Sequence, residues 1–499
     1  MVVVNPTAML ARTGPAAAHP QARMPTLTGP SAPAAGPQVT TPAHVYVSNA
    51  TDKTVSQFSV DAAGQLVTLS PSTVTTGSLT PGELELNPSG RNLYVSLTDV
   101  TGPGHDALGQ FSVGADGALT PLPTPTVPTA DGPIEIVFTP DGKFAYVDNA
   151  TASKISQYRV GPSGALAPLS PPTVSPRFHA GELTMSPDGR FLYGEGDRGI
   201  SQFSVGADGR LAPLSPESAG SGLGNDLKIT PDGRFLYEAG FFLNEYSIAA
   251  DGQLTPLSPP FVNLGSAAAA ATTPLPAVPG AHRDFPWAHQ WVALDLAMTG
   301  DGKFLYVTAL DPDGHSQIAQ FGIGSTGQLT PLSPATIATG RLAVERFGYE
   351  AAITPDDNFL FVDDGSPDGD SDPPAADAVS QFRIGATGAL TSLDPATVPT
   401  GAGARAIAAT PRPVAPPQTS AAPVVTPLPG GVSPSSTVAL PAPPSPPASP
   451  EASPTPVVTT GLPQTGTGDH GEVAGLGLLL VGLLLVAVRR RSRPERVDP

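Results

Sequence analysis

A short phrase of the type SPDGRFLYG recurs along the chain, and this repeat limits the possible fold more than any other feature. The copies read LNPSGRNLYVS, FTPDGKFAYVD, MSPDGRFLYGE, ITPDGRFLYEA, MTGDGKFLYVT and ITPDDNFLFVD. They follow one another at intervals of roughly 45 to 75 residues, which is long enough for one propeller blade of four short strands per interval. Because Asp-Gly between two apolar runs favours a tight hairpin, each copy predicts two antiparallel strands joined by a turn.

Each unit continues with a QFSV-like segment and then an LAPL- or LTPL-like segment. Four short strands per unit predict an all-β propeller. The last strand contains Pro, which would remove a ladder hydrogen bond in a central strand, so it should form the outer edge of each blade. The opening run HVYVSNATDKTVSQFSV lacks a first strand, whereas residues 406–410 lack a hairpin partner. We therefore predict seven blades, closed by pairing of the N-terminal strands with the C-terminal inner strand.

Composition divides the chain into four parts. Residues 1–43 are expected to be disordered, and a signal peptide there is absent or degenerate. Residues 44–411 carry the propeller repeats. Residues 412–461 are rich in Pro, Ala, Ser and Thr and bury too little apolar surface to fold, which predicts a disordered stalk. Residues 462–499 form a separate C-terminal segment.

This C-terminal segment has three parts in a fixed order. LPQTG is followed by the apolar run 473–488 and then by RRRSR. The apolar run is shorter than the ~20 residues that a comfortable membrane span requires. The order resembles the LPXTG cell-wall sorting signal of Gram-positive bacteria, whose motif here is Leu462, Pro463, Gln464, Thr465 and Gly466.

The sorting-signal resemblance implies partners and a location. A sortase would cut between Thr465 and Gly466 and join Thr465 to peptidoglycan. The protein would then be held in the membrane only transiently, through residues 473–488, before display in the cell wall at the extracellular surface. The runner-up interpretation is a tail-anchored transmembrane helix.

Charge and cysteine content exclude several functions. The net charge of −18 argues against nucleic-acid binding, which needs clustered Lys and Arg. The chain has no cysteine, so disulfides and thiolate metal sites are excluded. We expect a monomeric propeller with no certain cofactor.

The repeats resemble the YVTN and lactonase-like seven-bladed propellers, a group that includes 6-phosphogluconolactonase and carboxymuconate cyclase. SPDGRFLYG and YVSN carry this resemblance over most of residues 44–411. The resemblance implies His- and Arg-bearing phrases just before inner strands, yet the chain has only FHAGE and GAGARA there. If activity is retained, the catalytic candidates are His179, Glu182 and Arg405.

A carboxylate stands five residues before the turn in six of the seven units. These residues are Glu83, Glu135, Glu182, Asp226, Asp295 and Glu350, and Ala406 breaks the pattern. Because the first strand of each propeller blade lines the channel, the acids should form a ring near one channel mouth. In one interpretation each acid accepts backbone N–H groups of a neighbouring blade. In the other, two to four of them bind Ca²⁺.

Two irregular segments add candidates. The long connector around residues 259–294 contains HRDFPWAHQW, so Trp287, His289 and Trp291 could offer a flat face to a sugar or aromatic ligand, or simply pack on the rim. The run DDGSPDGDSD suggests a second Ca²⁺ site at Asp368, Asp370 and Asp372, although it lacks the Gly and Glu of an EF-hand.

Two functions remain open from the sequence. The first is a cell-wall-anchored module for binding or adhesion, with an unknown carbohydrate or protein ligand at the channel mouth. The second is an extracellular lactonase-like hydrolase that uses the same mouth. The imperfect His and Arg phrases make the binding module the preferred prediction.

Overall fold

The computed structural model describes residues 43–411, except 179, 197, 221–223, 266–290, 313–314, 343–349 and 364–376. Within these residues the chain forms β-strands in seven four-stranded sheets. This arrangement confirms the all-β, seven-bladed prediction. The predicted stalk, sorting motif and apolar run lie outside the described residues. In the part of the chain that the structure describes, no helix has the length and apolarity needed to cross a membrane.

The strands are numbered in chain order. The first half comprises β1 (His44–Asn49), β2 (Thr54–Val60), β3 (Leu66–Thr75), β4 (Thr80–Leu86), β5 (Asn92–Thr98), β6 (Ala107–Val113), β7 (Leu119–Pro128), β8 (Pro133–Phe138), β9 (Phe144–Asn149), β10 (Lys154–Val160), β11 (Leu166–Val174), β12 (Ala180–Met185), β13 (Phe191–Gly196) and β14 (Ile200–Val205). The second half comprises β15 (Leu211–Ala219), β16 (Gly224–Ile229), β17 (Phe235–Gly240), β18 (Leu243–Ile248), β19 (Leu254–Val262), β20 (Val292–Met298), β21 (Phe304–Leu310), β22 (His315–Ile323), β23 (Leu329–Leu342), β24 (Ala351–Ile353), β25 (Phe359–Asp363), β26 (Ala378–Ile384), β27 (Leu390–Pro399) and β28 (Ala404–Ala409).

Blade 1 closes the ring. Its sheet has the order β28-β1-β2-β3, and blades 2 to 7 follow as the consecutive sets β4–β7, β8–β11, β12–β15, β16–β19, β20–β23 and β24–β27. Strand β28 pairs antiparallel with β1, with Tyr46 opposite Ala408 and Val47 opposite Ile407. The two ends of the propeller sequence therefore share one sheet, as predicted. The Pro-containing strands β3, β7, β11, β15, β19, β23 and β27 are the outer edges.

The recurring turn is built from its own side chains. In blade 3 the Thr139 hydroxyl donates to Asp141, whose carboxylate also accepts the Lys143 N–H. Gly142 follows with φ of +65°, a left-handed conformation that suits glycine. In blade 7, Asp357 takes this place at φ of +59°, which Asp and Asn tolerate better than most residues. The Asp and Gly of the repeat therefore fix the hairpin between the first two strands.

The hydrophobic core lies between blades rather than inside them. Each of the seven main buried clusters joins residues of two neighbouring blades, and we call each such boundary a seam. In the seam between blades 3 and 4, for example, Tyr146 and Ile155 pack with Leu183, Leu192 and Phe203. Because one face of each sheet packs on the preceding blade and the other on the following blade, closure of the ring buries both faces of every blade.

Two polar side chains cross almost every seam. A tyrosine on the second strand of each of blades 1 to 6 donates its hydroxyl to a glycine carbonyl of the next blade, as Tyr146 does to Gly209 at 2.7 Å. Opposite it on the third strand, Gln157 accepts the Leu211 N–H of the next blade at 2.8 Å. Blade 7 has Phe361 instead of tyrosine, and blade 5 has Glu245 instead of glutamine.

Candidate functional site

The ring acids stand where the innermost strands of the propeller are irregular. In five blades the pairing between the first and second strands shifts register at or next to the acid, as at Glu135, which lies between Pro133 and Ile136. A bulge of this kind re-aims a side chain relative to a regular strand. All seven inner strands contact the inner strand of the following blade, so they surround one central channel.

Three of the acids hold the next blade through its backbone. Asp226 accepts the Leu296 N–H at 2.8 Å, Asp295 accepts the Ala351 N–H at 2.8 Å, and Glu350 accepts the Ile407 N–H at 3.3 Å. Each bond runs from one inner strand to the residue directly after the next ring position. In blades 5 to 7 the acids therefore act as blade-to-blade connectors as well as channel-lining groups.

The acids also meet one another as pairs. The carboxyl group of Glu135 lies close enough to interact with that of Glu182, and the same holds for Asp295 with Asp226 and for Glu83 with Glu350. Two carboxyl groups can hydrogen-bond to each other only when one of them is protonated, and every pair contains at least one member whose pKa is raised by burial. The six acids are thus arranged as three pairs, each able to share a proton, which we call the acid pairs.

Burial and mutual repulsion keep protons on these groups. Burial is the largest cause that raises the pKa of Glu182 well above its usual value, and the carboxyls of Glu135, Glu83 and Asp226 add to it. Those three neighbours belong to three other blades, so the side chains converge on the channel axis. Burial, followed by neighbouring carboxyls, likewise raises the pKa of Glu135, Asp295 and Glu350 well above the ordinary range.

Two charged residues that the sequence analysis missed lie one step further along the channel. Glu85 and Lys228 follow Glu83 and Asp226 by two positions, so alternation along the strand places them on the same face. Burial raises the pKa of Glu85 to about 7, while Lys228 opposes and Glu83 reinforces this shift. Burial disfavours the Lys228 cation, but Asp226, Asp295, Glu135 and Glu85 outweigh it and raise its pKa. The two-residue period could have identified both residues.

Blade 1 breaks the ring with a small residue and a cation. Ala406 occupies the seventh ring position and is fully buried. Glu83 and Glu350 lie on the blades to either side of it, and their carboxyl groups still interact with each other. Arg405 occupies the bulge between the residues that pair with Ser48 and Asn49. Its positive charge lowers the pKa of Glu83, against the larger raising effect of burial.

A further buried carboxyl lies outside the channel. Asp148 on β9 is fully buried, and neither of its carboxyl oxygens accepts a hydrogen bond from another side chain among the described residues. Burial, reinforced by the charge of Glu195 on β13, raises the pKa of Asp148 well above its usual value. Asp148 shares its face of β9 with Tyr146, because it follows by two residues, and this face points to blade 4. Sequence reasoning gave no sign of it.

The remaining candidates are only partly covered by the structure. His179, Trp287, His289, Asp368, Asp370 and Asp372 lie outside the described residues. Trp291 is half-buried and packs against the cluster that contains Leu264, in the seam between blades 5 and 6. Within the described ranges, no group of three or more Asp, Glu or His side chains has the spacing to hold a metal ion.

Comparison with known proteins agrees with this architecture. Residues 98–241 match the model of the family described as Lactonase, 7-bladed beta-propeller. No curated protein matches the chain. These findings and the closed ring of blades define the class as a seven-bladed propeller similar to those of the lactonase family.

Solved structures give the same fold at low sequence identity. The periplasmic gluconolactonase of Pseudomonas aeruginosa is 19% identical, with a TM-score of 0.54, over 74% of this chain and 99% of that one. A Bacteroides fragilis protein proposed to be a 6-phosphogluconolactonase is 19% identical, with a TM-score of 0.53, over 74% and 98%. A Lactobacillus plantarum protein is 17% identical, with a TM-score of 0.53, over 73% and 98%. Such identities speak for the fold alone.

Proposed function

We propose that this protein is a surface-displayed binding module whose channel takes a small polyhydroxylated ligand, such as a sugar or sugar derivative. The observation that carries the proposal is the set of three acid pairs around the channel. When a ligand hydroxyl inserts between the two carboxyl groups of a pair, the protonated group can donate its O–H to the ligand and the other group can accept the ligand O–H. Ligand hydroxyl groups need this combination, because each hydroxyl both donates and accepts hydrogen bonds.

The charges along the channel favour a neutral ligand over a strongly charged one. Retained protons reduce the negative charge of the acid pairs, and Lys228 and Arg405 offset part of what remains. A densely cationic ligand would have to displace those protons. A polyanion would face the carboxyl groups directly, which is unfavourable at short range.

Calorimetric titration of the full-length protein with neutral sugars, sugar lactones and polyamines tests the proposal. We expect binding of at least one hydroxyl-rich compound, and a loss of about tenfold in affinity in Glu182→Gln, which cannot share a proton with Glu135 in the same way. Glu217→Gln on the exposed rim is the matched control, since its side chain is 53% exposed. No binding by the whole panel, or equal affinity in both variants, would refute the proposal.

Ca²⁺ is an alternative candidate ligand for the ring acids at the channel mouth. The sequence hypothesis requires two to four ring carboxylates to bind Ca²⁺ directly or through water. Titration of the wild-type protein and Glu182→Gln with CaCl₂ separates the two ideas. A heat of binding that disappears in the variant would support Ca²⁺, and heats that do not differ would remove it.

Surface display is supported by the order of motif, apolar run and basic tail in residues 462–499. We propose that sortase links Thr465 to peptidoglycan and that the Pro-rich stalk holds the propeller away from the wall. Mass spectrometry of peptides released from cell walls tests this step. A peptide ending at Thr465 and carrying a wall fragment is expected, and a chain that continues through Gly466 in the mature protein would contradict it.

Lactone hydrolysis is the second candidate function, and Glu85 favours it. A carboxyl group with a pKa of about 7 is poised to act as a general base near neutral pH, and Lys228 could stabilise developing negative charge on a carbonyl oxygen. The Pseudomonas aeruginosa relative is a gluconolactonase, and residues 98–241 match the lactonase family.

A panel of lactones assayed with the full-length protein tests hydrolysis. Turnover should rise with pH through about 7 and fall by 10²-fold or more in Glu85→Gln. His179→Ala, Glu182→Ala and Arg405→Ala test the residues implied by the family resemblance. Absence of turnover on every lactone would leave the binding module as the function, whereas turnover lost in these variants would make hydrolysis the primary one.

A further inference from the structure

One seam of the propeller differs from the six others in the residue on the third strand that crosses it. In blades 1, 2, 3, 4, 6 and 7 the third strand carries a buried glutamine whose carbonyl oxygen accepts a leucine N–H of the next blade; these residues are Gln57, Gln110, Gln157, Gln202, Gln320 and Gln381. In blade 5 the same position is Glu245, which accepts the Leu329 N–H at 2.8 Å and is only 1% exposed.

The glutamines make a second bond that a carboxylate cannot make. Each donates its side-chain N–H to the carbonyl oxygen of the residue fourteen positions later, on the outer strand of its own blade, at 2.9 to 3.3 Å. The equivalent acceptor for Glu245 is the carbonyl of Pro259 on β19. An ionised Glu245 would present an oxygen to that carbonyl, whereas a protonated Glu245 has the O–H needed to replace the glutamine N–H.

We propose that Glu245 is a proton-operated latch of the seam between blades 5 and 6. When protonated, it bridges Leu329 of blade 6 and Pro259 of blade 5 as a glutamine does. When ionised, it keeps the first bond, loses the second and leaves a negative charge in an apolar seam.

The surroundings of Glu245 support this assignment. Burial raises the pKa of Glu245, and only the Leu329 N–H opposes that effect. Tyr237 stands directly across from it on β17 and donates its own hydroxyl to Gly327, so it is already committed elsewhere. The nearby charge on Asp232 also acts on Tyr237, and it is negative like that of Glu245. Burial in the seam, rather than a neighbouring charge, is therefore what resists ionisation of Glu245.

The same seam is also crossed at the channel. The acid pair Asp226–Asp295 spans the same two blades, and Asp226 also accepts the Leu296 N–H across that seam. Lys228 belongs to the inner strand of blade 5. Protonation of Glu245 and of Asp295, whose pKa burial also raises, would therefore act on the same seam.

Thermal unfolding of the full-length protein between pH 5 and pH 8.5 tests the latch. Glutamine makes both bonds at every pH, so Glu245→Gln should raise Tm by about 3 °C at pH 8.5 and by less than about 1 °C at pH 5. The reciprocal variant Gln320→Glu should install the same pH dependence in the seam between blades 6 and 7. Glu217→Gln, exposed on the outer strand of blade 4, controls for the change in net charge.

The three variants make the proposal refutable even if one of them folds poorly. A Tm difference between wild type and Glu245→Gln that is constant across the pH range would overturn it. So would a lower Tm for Glu245→Gln at pH 8.5, or a pH-independent effect of Gln320→Glu. Ligand binding is not needed for any of these measurements, so the latch stands or falls separately from the proposed function.

Discussion

The seams and the channel of this propeller follow opposite rules. At the seams the same two side chains recur: tyrosine in six blades and glutamine in six. Along the inner strands, the residue two positions after the ring position is not constant: it is Glu85, Val137, Thr184 and Lys228 in blades 2 to 5, but alanine in blades 6, 7 and 1, where Ala297, Ala352 and Ala408 pack in seam clusters.

The difference follows from what each side chain contacts. A seam side chain bonds to the backbone of the next blade, and the backbone offers the same group in every repeat. Only a side chain of the right length and polarity can hydrogen-bond to this backbone group, so the same residue type recurs in nearly every blade. A channel side chain meets other side chains and whatever enters the channel, so its identity can vary without opening the ring. The ring acids of blades 5 to 7 belong to both groups, because they bond backbone and face the channel.

Replacing a seam glutamine should have the largest effect. Gln157→Leu removes the acceptor for the N–H of Leu211, which is buried, and the donor to the carbonyl of Pro171, which is an exposed residue. We expect a loss of about 3 kcal/mol in the free energy of unfolding, measured by chemical denaturation. Gln157→Glu keeps the acceptor and should lose less, with a loss that shrinks at low pH. If Gln157→Leu cost no more than an exposed substitution, the seam rule would be wrong.

The channel should produce an intermediate effect that depends on pH. Carboxyl groups of the acid pairs have raised pKa values in the folded protein, so the folded state binds protons more tightly than the unfolded chain, where the pKa of glutamate is about 4.3. Below about pH 4 these carboxyl groups are protonated in both states and do not destabilise the fold. As the pH rises through their folded-state pKa values, their ionisation lowers the free energy of unfolding. For Glu85 that value is about 7.

Glu182→Gln measures the channel contribution. The variant removes one ionisable group from the pair with Glu135, so its free energy of unfolding should exceed that of the wild type by about 1 kcal/mol at pH 8.5. The difference should fall toward zero by pH 5, where the wild-type pair keeps its proton. Urea denaturation at the two pH values, with Glu217→Gln as the control, checks this expectation. If the difference in free energy of unfolding between the variant and the wild type grew at low pH, its sign would be wrong and proton sharing would be excluded.

The repeat could predict the fold because its turn chemistry is local. Asp141 and Gly142 specify a hairpin by bonds and a backbone angle within a few residues, and the missing strand at one end matched the spare strand at the other. The outer position of the Pro-containing strands also follows from a local rule, since Pro lacks the N–H of an inner strand. The number of blades, the order of their strands and the closure of the ring could therefore be predicted from the sequence alone.

Only part of the candidate site could be predicted from the sequence. The ring positions of Glu83 and Asp226 came from spacing, but their division into pairs depends on which side chains meet across the axis, and spacing carries no such information. Asp148 was missed because nothing local distinguishes a buried carboxyl on a second strand from an exposed one. Glu245 was missed for a different reason: its significance appears only when the contacts of six glutamines are compared with it.

The smallest expected effect lies at the one seam that lacks a tyrosine. Phe361 of blade 7 faces blade 1, where Gly64 occupies the place of the glycines that accept a tyrosine hydroxyl in the other six seams. Phe361→Tyr adds that hydroxyl at the boundary where the ring closes, and we expect a gain of about 1 kcal/mol in the free energy of unfolding. Tyr306→Phe, which removes the bond to Gly388 one seam earlier, should lose a similar amount. Chemical denaturation of both variants checks the pair. A gain at position 361 that matches the loss at position 306 would mean that the closing seam obeys the same rule as the others. A destabilised Phe361→Tyr, with Tyr306→Phe behaving as expected, would mean instead that the closing seam is packed differently and that the pairing of β28 with β1 alone holds the ring shut.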